Sequence, residues 1–377
     1  MPQHNKTQMN DLLKSFCVGL EKKNLDVDTL KWAVQTGLSS IALDYSNTNL
    51  INDISGCKNL TANNLTSQFW YQTQLNLTKQ IISALNEQGI VPTLLKGISI
   101  STSYYPKPHY RTMRDIDILV DVREVDKVEE ILSSLGYEQR STYSKEFYES
   151  LHHTMPWQHC KEDIWIEVHK RLFPKTSPCY NSPVFQLDVV QNERLLDDFY
   201  GLKVYRLSKE FQIVYIATHW AERFKQIGGL FALLDIALII NKHNDELDWN
   251  KIISCSNSPH VSNYVYLTLQ YLSKSGLLHS SVNIEQHVCR IKHTLGITSK
   301  AILNSIVNDY IFVGKPFGRA LTVNNIAIIW RHLLEPSSSF VKVLLLPFVI
   351  IFPKGSNKKF DFKFQLSRIK SFLKFKR

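Results

Sequence analysis

Residues 111–120 read Arg111-Thr112-Met113-Arg114-Asp115-Ile116-Asp117-Ile118-Leu119-Val120. The run from Ile116 to Val120 is apolar except at Asp117 and has the length of a strand. On a strand, residues i and i+2 point to the same face, so Asp115 and Asp117 stand side by side, about 7 Å apart at the backbone. Two bare carboxylates so placed repel each other. A bound Mg²⁺ (or Mn²⁺) removes the repulsion, because hard oxygen ligands suit a hard cation. A D-x-D pair also occurs on solvated strands, so its meaning depends on what surrounds it.

Upstream stands Leu94-Leu95-Lys96-Gly97-Ile98-Ser99. Ile90–Leu95 is a short apolar run, expected to be a buried strand. Residues 98–105 are expected to form a helix that Pro106 and Pro108 stop. A glycine after a strand lets the backbone approach a phosphate, and the helix N-terminus adds free N–H groups. The Ser99 hydroxyl can join them, while Lys96, Arg111 and Arg114 can neutralise a triphosphate. Downstream, Ile164–His169 alternates apolar and polar residues, which turns Glu167 to the face opposite Ile166 and Val168. Three carboxylates on two strands suit phosphoryl or nucleotidyl transfer, where metals activate the attacking oxygen and steady the leaving group. The candidate catalytic and metal-binding residues are therefore Asp115, Asp117 and Glu167. The candidate nucleotide-binding residues are Lys96, Gly97, Ser99 and Arg111.

Working outward, a helix is expected from about Ser67 to Glu87, closed by Gln88-Gly89. Another is expected from Val122 to Leu135, ended by Gly136. Residues 8–45 carry apolar positions at helical spacing, and the Asn- and Thr-rich stretch 47–66 reads as loop or short helices. Beyond a turn near Asp197-Asp198-Phe199-Tyr200-Gly201, residues 208–242, 261–277 and 299–312 read as mainly helical.

Several landmarks together resemble the uncharacterised nucleotidyltransferases of the polymerase-β-like superfamily. They are Leu94-Leu95-Lys96-Gly97 with Tyr104-Tyr105-Pro106, then Arg111 with Asp115-Ile116-Asp117-Ile118-Leu119-Val120. Ile166-Glu167-Val168-His169 follows, and last come His219 and Leu234-Asp235-Ile236-Ala237. The similarity spans about residues 67–240. It implies an α+β fold: a small mixed sheet flanked by helices, followed by a mainly helical C-terminal domain. The expected layout is a helical N-terminal region at 1–66, a nucleotidyltransferase core at 67–200, a helical domain at 201–353 and a basic tail at 354–377. The resemblance also implies that Asp115, Asp117 and Glu167 bind metal and that Gly97 and Ser99 meet the nucleotide phosphates. Where the family commonly has a small residue before the first Asp, this chain has Arg114. The expected activity is Mg-dependent transfer of an NMP group from an NTP such as ATP to a hydroxyl or phosphate acceptor on a small molecule, sugar or protein. A nucleotide-binding or partner-binding module with little turnover, or a protein-AMPylating enzyme, is the alternative.

Other chemistries lack their motifs. The six cysteines are scattered without a CxxC pair, which fits reduced thiols in a cytoplasmic protein. His152, His153, His159 and Cys160 match no common zinc spacing. No Walker A loop and no G-x-S-x-G elbow occurs. The start MPQHNKTQMN is polar with no apolar stretch behind it, so no signal peptide is expected. The net charge of +10 is concentrated at one end: residues 354–377 hold nine Lys/Arg and one Asp, leaving +2 for residues 1–353. The body therefore has no electrostatic footprint for nucleic acid. If helical, the tail aligns Phe362, Leu366, Ile369 and Leu373 beside a face of Lys363, Lys370, Lys374 and Arg377, as in helices that contact the inner face of a membrane. The run Val343–Pro353, eleven residues without charge, is too short to span a bilayer and is expected to be a buried core element.

Overall fold

The computed structural model describes residues 3–47, 58–143, 145–223, 229–308, 323–336 and 339–351. The stretch Asp115–Leu119 is a strand, and around it a seven-stranded mixed sheet assembles. Its strands are β1 (Thr93–Leu94), β2 (Asp115–Leu119), β3 (Tyr137–Gln139), β4 (Trp157–His159), β5 (Trp165–His169), β6 (Arg194–Phe199) and β7 (Leu202–Leu207), in the order β3-β4-β5-β2-β1-β7-β6. The pairs β2·β5 and β1·β7 are parallel and the rest antiparallel.

Helices precede and follow the sheet. The N-terminal ones are α1 (Gln3–Val18), α2 (Val27–Thr36), α3 (Ser39–Tyr45) and α4 (Lys58–Glu87). Within the sheet region lie α5 (Lys96–Tyr104), α6 (Val125–Ser134), α7 (Lys145–Glu149) and α8 (Leu187–Asn192). Then come α9 (Lys209–Arg223), α10 (Gly229–His243), α11 (Trp249–Cys255), α12 (Pro259–Ser275), α13 (Glu285–Val288), α14 (Ile297–Ile306), α15 (Val323–Leu334) and α16 (Ser339–Ile351). The fold is α+β, a mixed sheet flanked by helices and followed by a mainly helical C-terminal part, as the resemblance implied.

Strand alternation sorts the side chains into two cores. Ile116, Ile118 and Val120 join Ile164, Ile166 and Val168 beneath Ile81, Ile82 and Leu85 of α4. Leu119, on the other face, belongs to a larger core in which Leu12 and Phe16 of α1 pack with the helices from α9 onward. The N-terminal and C-terminal helices are thus parts of one apolar body. Asp115, Asp117, Glu167 and His169 share the face turned toward that body, because their positions alternate with the apolar set.

The expected helix at 67–87 begins earlier, at Lys58. Asn and Thr are weak helix formers, but Leu60 is fully buried and tertiary packing overrides the local preference. Gly89 is left-handed and closes α4 as expected. The expected strand Ile90–Leu95 shortens to two residues. The turn at Tyr200-Gly201 joins β6 to β7, both residues having positive φ. The expected buried element Val343–Pro353 is not buried throughout its described residues. Residues 343–351 belong to α16, which packs Val343 and Leu346 inward while Leu344, Leu345 and Phe348 are exposed; residues 352 and 353 lie outside the described residues. Among the described residues no helix is long and apolar enough to cross a membrane. The tail 354–377 lies outside the described residues.

Candidate active site

The parallel register sets Asp115 opposite Trp165, Asp117 opposite Glu167 and Leu119 opposite His169. Asp117, Glu167 and His169 consequently gather their ligand atoms within 4.8 Å of one another, as a group that could hold a metal ion. Asp115 shares their face but lies outside this group, half-buried at the N-terminal end of β2. Two residues of strand rise separate it from Asp117.

Asp117 is 5% exposed, and its Oδ1 is the hub of the cluster. The Lys96 Nζ donates to it at 3.2 Å, and the His169 Nε2 lies 2.7 Å away. The same His169 nitrogen is 3.4 Å from Glu167 Oε2. Burial alone would raise the Asp117 pKa, but the Lys96 charge and the His169 hydrogen bond reverse this and hold it well below the usual carboxylate range. Burial likewise opposes a charged His169, yet its bonds to Asp117 and Glu167 move its pKa up. For Glu167, burial acts upward and the His169 bond carries the balance downward. His219, on α9 between Phe173 and Tyr215, adds to the positive potential at Asp117.

Lys96 itself is held in an unusual way. Its backbone is left-handed, with φ of 40°, which is uncommon without a glycine. This bend starts α5 immediately after β1, while Leu95 N–H bonds Asp117 C=O. The strained turn therefore aims the ammonium at the carboxylate.

Around these groups His152, His153 and His169 form a packed ring cluster, with centroids 4.7 to 5.7 Å apart. They meet because residues 153 and 169 form an antiparallel bridge next to β5. Burial lowers the His153 pKa, and its Nδ1 faces Thr154 C=O at 2.7 Å. His159 packs on Tyr137 instead.

The nucleotide-binding candidates fall in different surroundings. Lys96 stands at the carboxylates. A Cβ on Gly97 would lie 2.8 Å from Met113, so the close approach that this glycine permits is to a flexible side chain. Ser99 is buried, and both its oxygens accept from Arg206. Arg111 grips Asp235 of α10 through Nε, 3.0 Å from both carboxylate oxygens, and Nη2, 2.8 Å from Oδ2. Tyr105 donates to Asp235 Oδ1 at 2.7 Å. Asp235 is thus the buried counter-ion of Arg111.

A cleft of about 450 Å³ opens beside the strands. It is lined by residues 111–114, which directly precede β2, by residues 163–165, which lead into β5, and by one side of α4 including Trp70 and Tyr71. None of Asp115, Asp117 and Glu167 lines it; Arg114 and Trp165, the chain neighbour and the register partner of Asp115, do. The cleft and the histidine cluster were not foreseen from sequence. The one local signal was His169, two residues after Glu167 and hence on its face.

Three solved structures are similar to the chain at low level. The solution structure of the antibiotic-resistance factor ANT(2'')-Ia has a TM-score of 0.35 and 15% identity, covering 49% of this chain and 89% of that one. The crystal structure of ANT(2'')-Ia in complex with adenylyl-2''-tobramycin has a TM-score of 0.35 and 15% identity, covering 48% and 94%. An antigenic nucleotidyltransferase-like protein from Paracoccidioides brasiliensis has a TM-score of 0.35 and 17% identity, covering 55% and 95%. No curated protein matches the chain. A family model described as uncharacterised nucleotidyltransferase matches residues 28–275, which begins well before the landmarks and takes in α2 to α12. With well over half of its length matched, and with the paired carboxylates on adjacent strands, the chain belongs to the family of uncharacterised nucleotidyltransferases.

Proposed function

We propose that the protein transfers an NMP group from an NTP to a hydroxyl or phosphate acceptor, releasing pyrophosphate. The observation that supports this best is the convergence of Asp117, Glu167 and His169 within 4.8 Å. The donor set fits a hard divalent cation: two carboxylates offer oxygen, and Lys96 already stands beside Asp117 as a positive charge where a cation would sit. Asp117 and Glu167 would hold Mg²⁺ or Mn²⁺, with Asp115 completing the carboxylates on the substrate side. Such an ion supplies charge neutralisation at the α-phosphate and lowers the pKa of an acceptor hydroxyl.

The chain's own groups divide the remaining work. His169 fixes the orientation of Asp117 and Glu167 through one nitrogen, as partners of metal ligands commonly do. Lys96 can release Asp117 and turn to a phosphate oxygen. The acceptor oxygen forms a bond to the α-phosphorus, the bond to pyrophosphate breaks, and the acceptor proton leaves to a nearby base. Met113 shields Gly97, so a phosphate reaches that turn once the flexible Met113 side chain swings away.

Incubation with α-³²P-labelled NTPs, Mg²⁺ and a cell extract tests the reading. The wild type is expected to label an acceptor, and a protein carrying Asp115→Ala with Asp117→Ala is expected not to; equal labelling by both refutes the site. A direct binding measurement follows from the same geometry. Glu167→Gln is expected to weaken Mn²⁺ binding by about tenfold or more, read by electron paramagnetic resonance of free Mn²⁺, because affinity follows ligand charge. An unchanged affinity would remove Glu167 from the site.

The exposed Val341, Leu344, Leu345 and Phe348 of α16 lie shortly before the +8 tail. Apolar and basic groups in succession favour peripheral contact with an anionic membrane. Deleting residues 354–377 is expected to abolish flotation with liposomes containing phosphatidylglycerol, whereas unchanged flotation would sink this part of the proposal.

A further inference from the structure

From the cleft beside the carboxylates we infer that the acceptor is an anionic, ring-bearing small molecule and that Arg114 is the residue that selects it. The role as acceptor rests on the nucleotidyl-transfer reading above; the binding of such a molecule does not. Arg114 is exposed, lines the cleft and directly precedes Asp115. Among the described residues it has no ion pair. The neighbouring basic groups differ: Lys96 has Asp117, Arg111 has Asp235 and Arg206 has Asp197. The acidic residue of the cleft, Asp163, already accepts from Gln158 at 2.8 Å and from Trp165 Nε1 at 3.1 Å. The cleft therefore presents one uncommitted guanidinium, a fork that matches phosphate or carboxylate oxygens.

The remaining walls say what else the ligand carries. Trp70 is 37% exposed and Trp165 is half-buried, and both line the cleft. Their faces suit a flat or cyclic body. Asn63 and Ser67 of α4 add polar groups that can meet hydroxyls. A volume of about 450 Å³ is that of a small-molecule site. Met113 separates this space from the turn at Gly97, since it packs against the glycine and also lines the cleft. Arg114 lines the cleft and Lys96 stands at the turn, so Arg114 is assigned to the acceptor and Lys96 to the NTP phosphates.

The two tryptophans provide the readout. Quenching of tryptophan fluorescence would be titrated with inorganic phosphate, glucose 6-phosphate, glucuronate and the neutral methyl glucoside, without NTP or metal. Saturable quenching by glucose 6-phosphate or glucuronate is expected, stronger than by inorganic phosphate or methyl glucoside. The stronger of the two shows whether phosphate or carboxylate is read. Arg114→Gln is expected to raise that Kd by about tenfold or more, the size of a lost charge-assisted hydrogen bond, with Arg114→Lys between. Circular dichroism confirms folding, and Trp70→Phe is expected to diminish the signal. The proposal is overturned by any of three results: equal binding by Arg114→Gln, no saturable quenching by an anionic ring compound at millimolar concentration, or a raised KM for NTP with acceptor binding unchanged. Binding that depends on Arg114 in a protein without NMP transfer would keep this inference and discard the activity.

Discussion

Asp117→Asn is expected to lower the rate of NMP transfer by at least about 10³-fold, equivalent to roughly 4 kcal/mol of lost transition-state stabilisation. The change removes a charge and preserves the shape. The Oδ1 of the asparagine can still accept from Lys96, which lies 3.2 Å away in the wild type. The fold should therefore persist, and the loss should fall on the rate. Comparing kcat for the two proteins at saturating NTP, with far-ultraviolet circular dichroism as the folding control, measures it. A folded variant with more than a tenth of wild-type turnover would mean that Asp117 serves only to neutralise Lys96 and His169.

The second large effect concerns stability. Asp235→Ala is expected to destabilise the protein by about 3–5 kcal/mol, the usual consequence of stranding one partner of a buried ion pair. Asp235 is 1% exposed, and it takes three contacts from Arg111 and one from Tyr105. Without it a guanidinium and a phenol lose their acceptor inside the protein. Arg111→Met combined with Asp235→Leu should recover much of the loss, because the pair is then replaced by packing instead of broken. Urea denaturation of the wild type, Asp235→Ala and the double variant checks both statements. A midpoint unchanged in Asp235→Ala would show that Arg111 finds another acceptor and that the link between the sheet and α10 is weak.

That link also explains what was legible in the sequence. The strand at 115–119 and its partner at 165–169 announce themselves by alternation, and Gly89 by its place at the end of an amphipathic run. The carboxylates of Asp117 and Glu167 meet because their two strands pair in register, which the alternation within either strand does not specify. Arg111 and Asp235 are 124 residues apart, so no periodicity connects them, and Arg111 read from sequence as a phosphate ligand shows its acidic partner only in the fold. Ser99 is similar, since Arg206 comes from β7. The strands β3 and β4 have three residues each, too few to show alternation. The edge strand β6 exposes Leu195 and Leu196, so its pattern does not mark a buried face. The cleft draws its walls from α4, the loop before β2 and the loop before β5, and belongs to no single motif.

In the proposed reaction these carboxylates serve attack at the α-phosphorus of an NTP. Parallel reactions with α-³²P-ATP and γ-³²P-ATP, with the other NTPs as further arms, test it most directly. The acceptor is expected to carry the α label and the γ label to be released as pyrophosphate, both dependent on a divalent metal. Transfer of the γ label to the acceptor, with ADP as the other product, would contradict it.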